Sequence, residues 1–238
     1  MNSVDFDNGK YLIENVKDFN IVQKGTTSFV NNFSFLELIK LEYSVLQQID
    51  HWHVDGIMLV KVINFFKKDK IHRYSFDFTS IAGEVFRNAE MNREEIAVIG
   101  TTEDNLNKFI QFLQNEYKEL NITFSRNGYF QSDNETANVI NTLKELNPDR
   151  IIVGMGSPYQ EKFVAELKKS GIMAGVYTCG GFMHQTAQRG RDYYPKIFDK
   201  LNIRWLYRII DEPKLIYRYA VLYPISVIFI VLIILKKN

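Results

Sequence analysis

The chain has 238 residues, with 29 Lys and Arg against 28 Asp and Glu, formally +1 at neutral pH. That balance excludes the basic profile of a general nucleic-acid binder, and no nucleic-acid partner is expected. Hydrophobic residues at 46% and charged residues at 24% exclude a disordered chain, and a single cysteine, Cys179, excludes a disulfide framework or a Cys-rich zinc site.

The first ten residues are polar and mildly acidic, without the basic and apolar regions of a secretory signal. Residues 34–49 predict a helix, and the apolar run 57–66 fits a helix or a strand. Between them His51-Trp-His-Val leads into Asp55-Gly56, first of all a turn pair. No acidic or Cys constellation completes a metal site around His51 and His53, so both are read as surface or loop histidines.

Glu95-Ile-Ala-Val-Ile-Gly100 has the form of a buried strand. Residues 102–117 follow as an amphipathic helix, with Leu106, Phe109, Ile110 and Leu113 at helical spacing. A weaker strand covers 121–124, and Ser132-Asp-Asn-Glu135 is a capping box opening a helix through Leu146. A strand at 150–153, a helix at 158–170 and a strand at 173–177 complete the series. This alternation predicts the α/β class: a Rossmann-like parallel sheet flanked by helices, with ligands beyond the carboxyl ends of the strands.

The turn Gly154-Met-Gly156-Ser157-Pro158-Tyr-Gln160-Glu161 carries the most chemistry. Two glycines allow close backbone approach, Ser157 is a preferred N-cap, Pro158 suits the first helical position and Gln160 completes a Ser-x-x-Gln box. Such a helix end favours an anion such as a pyrophosphate, although the same residues also make a sound turn with no ligand. Tyr159 stands where a dinucleotide fingerprint has its third glycine, and a Walker A loop is absent, so nicotinamide and ATP chemistry are not expected. Asn127-Gly128-Tyr129-Phe130 reads as a turn followed by two rings that either stack on a base or join the core.

Residues 187–218 hold eight basic and four acidic residues, a local +4 that suits anionic headgroups, a phosphorylated substrate or a solvated face. The 17 residues 219–235 carry no charge and end at Lys236-Lys237, with Pro224 near their start. A buried terminal element, a short spanning helix and a segment lying in one leaflet all fit. Membrane attachment through this tail is the expectation. The expected division is an α/β domain at 1–186, a basic appendage at 187–218 and an apolar tail at 219–238.

Six motifs now fall in order: Asp55-Gly56; Asn127 to Phe130; Asn147-Pro148-Asp149 with the turn from Val153 to Glu161; Cys179-Gly180-Gly181-Phe182; Arg204-Trp205-Leu206-Tyr207-Arg208; and Glu212-Pro213. Together they resemble the WecG/TagA/CpsF glycosyltransferase family. The resemblance implies inverting transfer of a sugar, of the N-acetylmannosamine type or a related hexose, from a UDP-sugar. The implied acceptor is a polyprenyl-diphosphate-linked sugar on the cytoplasmic face of the cell membrane, in the building of surface polysaccharide or teichoic-acid-type polymers. No metal or other cofactor is implied, and a homo-oligomer is left open.

By position, the family's general base falls on Asp55 and its upstream active-site threonine on Thr27, with Asn31 taking part of that role. Arg73 and Gln160 match diphosphate ligands. The rest of the implied nucleotide-sugar site is Gly100, Asn127, Gly128, Tyr129, Phe130, Gly154, Gly156, Pro158 and Glu161. Arg204, Arg208, Lys214 and Arg218 match the appendage residues that meet acceptor and membrane. The chain departs from the family near Arg73, where a glycine is missing, and at Leu215, where an arginine is usual. The departures motivate a second expectation, a catalytically inactive, membrane-tethered nucleotide-sugar-binding module of the same fold.

Overall fold

The computed structural model describes residues 3–19, 24–191, 198 and 204–236. The first half runs α1 (Ser3–Asn15), β1 (Gly25–Val30), α2 (Asn32–Leu38), α3 (Tyr43–Leu46), β2 (His51–Val54), α4 (Ile57–Phe66) and α5 (Ala82–Met91). The strand–helix series follows as β3 (Glu95–Gly100), α6 (Glu103–Glu116), β4 (Asn121–Arg126), α7 (Asp133–Leu146), β5 (Arg150–Gly154), α8 (Tyr159–Lys169), β6 (Gly175–Thr178) and α9 (Phe182–Arg189). The C-terminal part contains α10 (Arg204–Asp211), a 3-10 turn (Pro213–Leu215), a π-helical turn (Arg218–Leu222) and α11 (Tyr223–Lys236).

Among the described residues the strands form one six-stranded sheet in the order β2-β1-β6-β5-β3-β4, every neighbouring pair parallel. Both faces are covered, which is why the strands read as continuous apolar runs. Along β3, Ala97 and Ile99 enter one core with Leu12, Val30, Leu59 and Ile151. Ile96 and Val98 point the other way, into a core with Phe86, Phe109, Tyr177 and Phe182. The expected Rossmann-like α/β architecture is therefore what the chain adopts.

The early region is finer-grained than its hydropathy pattern predicts. The expected helix over 34–49 is two short helices, α2 and α3, separated by residues 39–42. Asn31 ends the first strand-to-helix turn as an N-cap: its side-chain Oδ1 accepts from the Phe33 and Ser34 backbone amides, and Ser34 Oγ accepts from the Asn31 backbone amide. The ambiguous run 57–66 is the helix α4. At α7, Ser132 Oγ accepts from the Glu135 amide as expected, while the Glu135 carboxylate takes the Gln131 amide.

The reading of His51 and His53 as surface or loop histidines is corrected. Both lie in β2, and His53 is 2% exposed. Its Nδ1 donates to the Lys17 carbonyl at 2.8 Å, and its ring is surrounded by Phe19, Phe29 and Tyr74. Burial among these rings pushes the imidazole below the ordinary histidine range of 6.5. The folded state thus refuses a proton that the unfolded chain takes up below about pH 6.5. Stability is complete above that value and falls beneath it, by at most about 1.4 kcal/mol per pH unit for one such group. Urea unfolding between about pH 7.5 and 5.5 is expected to show this loss, and His53→Phe is expected to flatten the slope.

Candidate active site

A cleft of about 370 Å3 opens over the carboxyl ends of β1, β5 and β6. Phe29 of β1 and Asn31 just after it reach the cleft, with Gly156, Ser157 and Gln160 from the turn into α8, and Thr178 to Phe182 and Gln185 from the turn into α9 and its first turns. Asp55 enters from the end of β2, and Arg73, Ser75 and Asp77 from the connection between α4 and α5. Arg208 of α10 and Arg218 at the π-helical turn close the remaining side.

Asp55 is held from two directions. Its backbone amide donates to the Val30 carbonyl at 2.9 Å, which ties it to the end of β1. Arg73 clamps it from the other side, Nε donating to the Asp55 carbonyl and Nη2 to Oδ1, both at 3.0 Å. The same Nη2 donates to Ser75 Oγ at 2.8 Å and lies 3.6 Å from Asp77 Oδ2. Ser75 Oγ in turn donates to Asp77 at 2.8 Å. A guanidinium shared in this way fixes the carboxylate's orientation and leaves it a third exposed at the cleft wall.

The turn into α8 is built differently from its expected capping box. Helix α8 begins at Tyr159, with Pro158 at the N-cap and no side-chain cap. Ser157 Oγ instead donates to Glu161 Oε1 at 3.0 Å. Gln160 Nε2 and Ser28 Oγ donate to the same oxygen, both at 2.9 Å, and Thr178 Oγ1 donates to Ser28. Glu161 is fully buried, which pushes its carboxyl above the ordinary range against the pull of these donors. Gln160 Oε1 accepts from the Gly180 amide at 3.1 Å, so one amide side chain links the turns into α8 and α9. The N-termini of these two helices therefore face one cavity, where their dipoles favour an anion.

Beside the cleft lies the point where the sheet's connections reverse. The chain leaves β3 toward β4 and β5 toward β6, in opposite directions, and Gly100 pairs with Gly154 across that division. A Cβ on Gly100 would stand 2.5 Å from the Gly154 carbonyl oxygen, and one on Gly128 would stand 2.9 Å from Gly100 Cα. Only glycines let the three loops come this close.

Comparison with known proteins settles which family builds this arrangement. The model of the Glycosyl transferase WecG/TagA/CpsF family matches residues 4–238. The chain belongs to this family. It is 34% identical over 200 residues to a UDP-Gal:alpha-D-GlcNAc-diphosphoundecaprenol beta-1,4-galactosyltransferase of Shigella boydii, across 84% of this chain and 83% of that one. It is 31% identical over 228 residues to an N-acetylglucosaminyldiphosphoundecaprenol N-acetyl-beta-D-mannosaminyltransferase of Staphylococcus aureus strain NCTC 8325, across 90% and 85% of the two chains. The WecG/TagA/CpsF chain described here is a glycosyltransferase.

Against this family background, the expected site residues separate by where the fold places them. Asp55, Asn31, Arg73, Gly156, Gln160, Arg208 and Arg218 line the cleft together. Gly100, Asn127, Gly128 and Gly154 lie at the neighbouring reversal, where Asn127 donates to Glu103 and accepts from the Tyr129 amide. Tyr129 is exposed, while Phe130 stacks on Phe163 at 5.3 Å beneath Arg126 and so belongs to the packing. Pro158 and Glu161 support the cleft from behind. Thr27 is fully buried three residues before the end of β1, paired in register with His51 and Tyr177, and does not line the cavity. The side chains of Arg204 and Lys214 lie outside the described part of the structure.

The site also contains Ser75, Asp77 and Thr178, and two motif residues, Ser157 and Cys179, that were not among the expected binding residues. Burial pushes the Cys179 thiol up, which makes it a neutral wall of the cleft. Among the described residues no group of three or more His, Cys, Asp and Glu could hold a metal ion. Replacing Glu161 by Ala leaves three donors facing a void and is expected to cost about 3 kcal/mol in urea unfolding. Glu161→Gln retains an acceptor oxygen and is expected to cost clearly less.

Proposed function

We propose that this chain transfers a hexose, of the N-acetylmannosamine type or a related one, from a UDP-sugar to a polyprenyl-diphosphate-linked sugar, inverting the anomeric carbon. The observation that carries this reading is the shared cleft: Asp55, oriented by Arg73, shares a single cavity with two helix N-termini and with Arg208 and Arg218. Both relatives support the acceptor class, since each is named for an N-acetylglucosaminyl diphosphoundecaprenol substrate. The galactosyltransferase's name supports a UDP-linked donor.

In this reading Asp55 takes the proton from the acceptor hydroxyl as its oxygen attacks the anomeric carbon. The bond from that carbon to the diphosphate oxygen breaks on the opposite side, and the electron pair leaves with UDP. The N-termini of α8 and α9, together with Arg208 and Arg218, stabilise the growing charge on the diphosphate. Arg73 keeps the base oriented, and Gln160 keeps the two helix starts in register. No metal takes part. The reaction runs at the cytoplasmic face of the membrane, where the tail holds the enzyme beside its lipid-linked acceptor and raises the effective concentration.

Asp55→Asn keeps the shape of the cleft and removes the base. It is expected to bind UDP normally and to lose transfer by about 10²–10⁴-fold, measured as UDP release with a polyprenyl-diphosphate sugar. Near-normal turnover removes Asp55 from the mechanism. If the unaltered chain binds UDP and releases none from any donor and acceptor pair, the reading of a nucleotide-sugar-binding module without transfer takes its place.

A further inference from the structure

Helix α11 is seated on the domain along its whole length. Ser226, Phe229, Ile230 and Ile233, one helical face, are buried. Ser226 Oγ accepts from Asn32 Nδ2 at 2.9 Å, and Phe229 meets the edge of Phe6 at 4.8 Å. Near the other end, Ile233 fits where Gly9 has no side chain: a Cβ there would be 2.4 Å from Ile233 Cδ1. The Lys236 ammonium lies 4.7 Å from the Phe6 ring centroid.

The opposite face is apolar and open. Ile225, Ile228, Leu232 and Leu235 recur at helical spacing and are all exposed, Ile228 by 61%. Helix α4 packs beside α11 and adds Met58, Phe66 and Phe65, the last 81% exposed. Lys61 lies within the α4 stripe, and Lys67, Lys68 and Lys70 follow it with only Asp69 opposing. At the other end of the tail, Trp205, Tyr219 and Tyr223 form a chain of ring contacts.

By length and composition, Arg218–Lys236 is long and apolar enough to cross a membrane. Crossing would strip Phe229, Ile230 and Ile233 from their seat and break the Asn32 hydrogen bond. An α/β domain with open sheet edges cannot follow the helix into hydrocarbon. We infer that α11 lies within one leaflet, still seated on the domain, and that α4 enters the bilayer beside it, the two helices forming a single membrane-embedded face.

The occupant is a lipid surface carrying anionic headgroups. An apolar face with a lysine rim and a cluster of Trp and Tyr at one end matches the layers of a bilayer interface. A second copy suits it less, because two-fold pairing of this face would set its own lysines against each other. The inference rests on the proposed transfer reading for its purpose: Arg218 heads this segment and lines the cleft, so embedding the face brings the cleft's mouth to headgroup level.

The test uses the full chain and vesicles of phosphatidylcholine with phosphatidylglycerol, without donor or acceptor. Tryptophan is placed on each helix separately, as Phe65→Trp and Ile228→Trp, and quenching by lipids brominated at defined depths is compared with the parent protein. Both positions are expected to be quenched at similar shallow depths, and Met58→Glu with Phe65→Glu is expected to weaken vesicle binding at least tenfold while circular dichroism is retained. Quenching of Ile228→Trp at the bilayer centre, with Phe65→Trp unquenched, overturns the inference in favour of a spanning tail. Quenching of neither, with a dimer in light scattering, overturns it in favour of a second copy. UDP release with a water-soluble acceptor reports the transfer reading separately, so either proposal can fail while the other stands.

Discussion

Glu161 receives three hydrogen bonds in a place closed to water, and the shape of the cleft follows from that convergence. Its donors come from β1, from the turn after β5 and from the start of α8, while Thr178 extends the chain to β6. Three separate strand ends are thereby held to one oxygen. A buried carboxyl with three donors on one oxygen is costly to disrupt, because each donor left behind loses its partner as well. Gln160 carries the constraint outward to the Gly180 amide, which is how a group that never touches the cavity sets where two helix N-termini point.

Asp55 obeys a separate but similar logic on the opposite wall. Parallel strands deliver their carboxyl ends to one edge of the sheet, so the residues after β1, β2, β5 and β6 become neighbours despite their distance in sequence. Arg73 adds the connection between α4 and α5 to that edge by clamping Asp55 through both backbone and side chain. Arg73 gives its Nε to the Asp55 carbonyl and its Nη2 to the Asp55 carboxylate and Ser75, so in the proposed mechanism it orients the base. In the proposed mechanism the cationic character toward the diphosphate comes instead from Arg208 and Arg218, which line the cleft from outside the α/β layers.

How much of this was legible in the residues depends on whether a local pattern decides the outcome. The strands β3 and β5 were plain because burial on both faces produces unbroken apolar runs, and α6 because one face packs while the other is wet. Strands β1 and β2 were hidden: one is rich in Thr and Ser, the other holds two histidines, and only their parallel neighbours explain why such residues sit inside. Ser157 had the right chemistry for an N-cap, yet its hydroxyl serves Glu161, a choice made by tertiary contact. Asp55 could be found from its turn and the family motif. Ser75 and Asp77 follow Arg73 closely, yet nothing near them in sequence reveals that their loop folds back to Val54 at the end of β2. The registration of Thr27 with His51 and Tyr177, which keeps it below the cleft, is likewise a property of the sheet rather than of the segment.

The seat of the tail and the wall of the cleft are made by adjacent residues, which argues that attachment and orientation are one problem. Asn31 caps α2 and lines the cavity, while Asn32 beside it holds Ser226 of α11. Phe33 lines the cavity and carries the Arg218 guanidinium 3.6 Å from its ring centroid. A tail joined to the domain by a loose linker would confine the enzyme to a surface and leave the cleft free to face any direction. A helix fixed on both sides of α2 removes that freedom, since any plane that accepts its exposed face also sets the angle of the cavity a few residues away. If the proposed transfer and membrane seat hold, that fixed angle does more for a lipid-linked acceptor than proximity alone, because it aligns the approach of the hydroxyl toward Asp55 before the sugars meet.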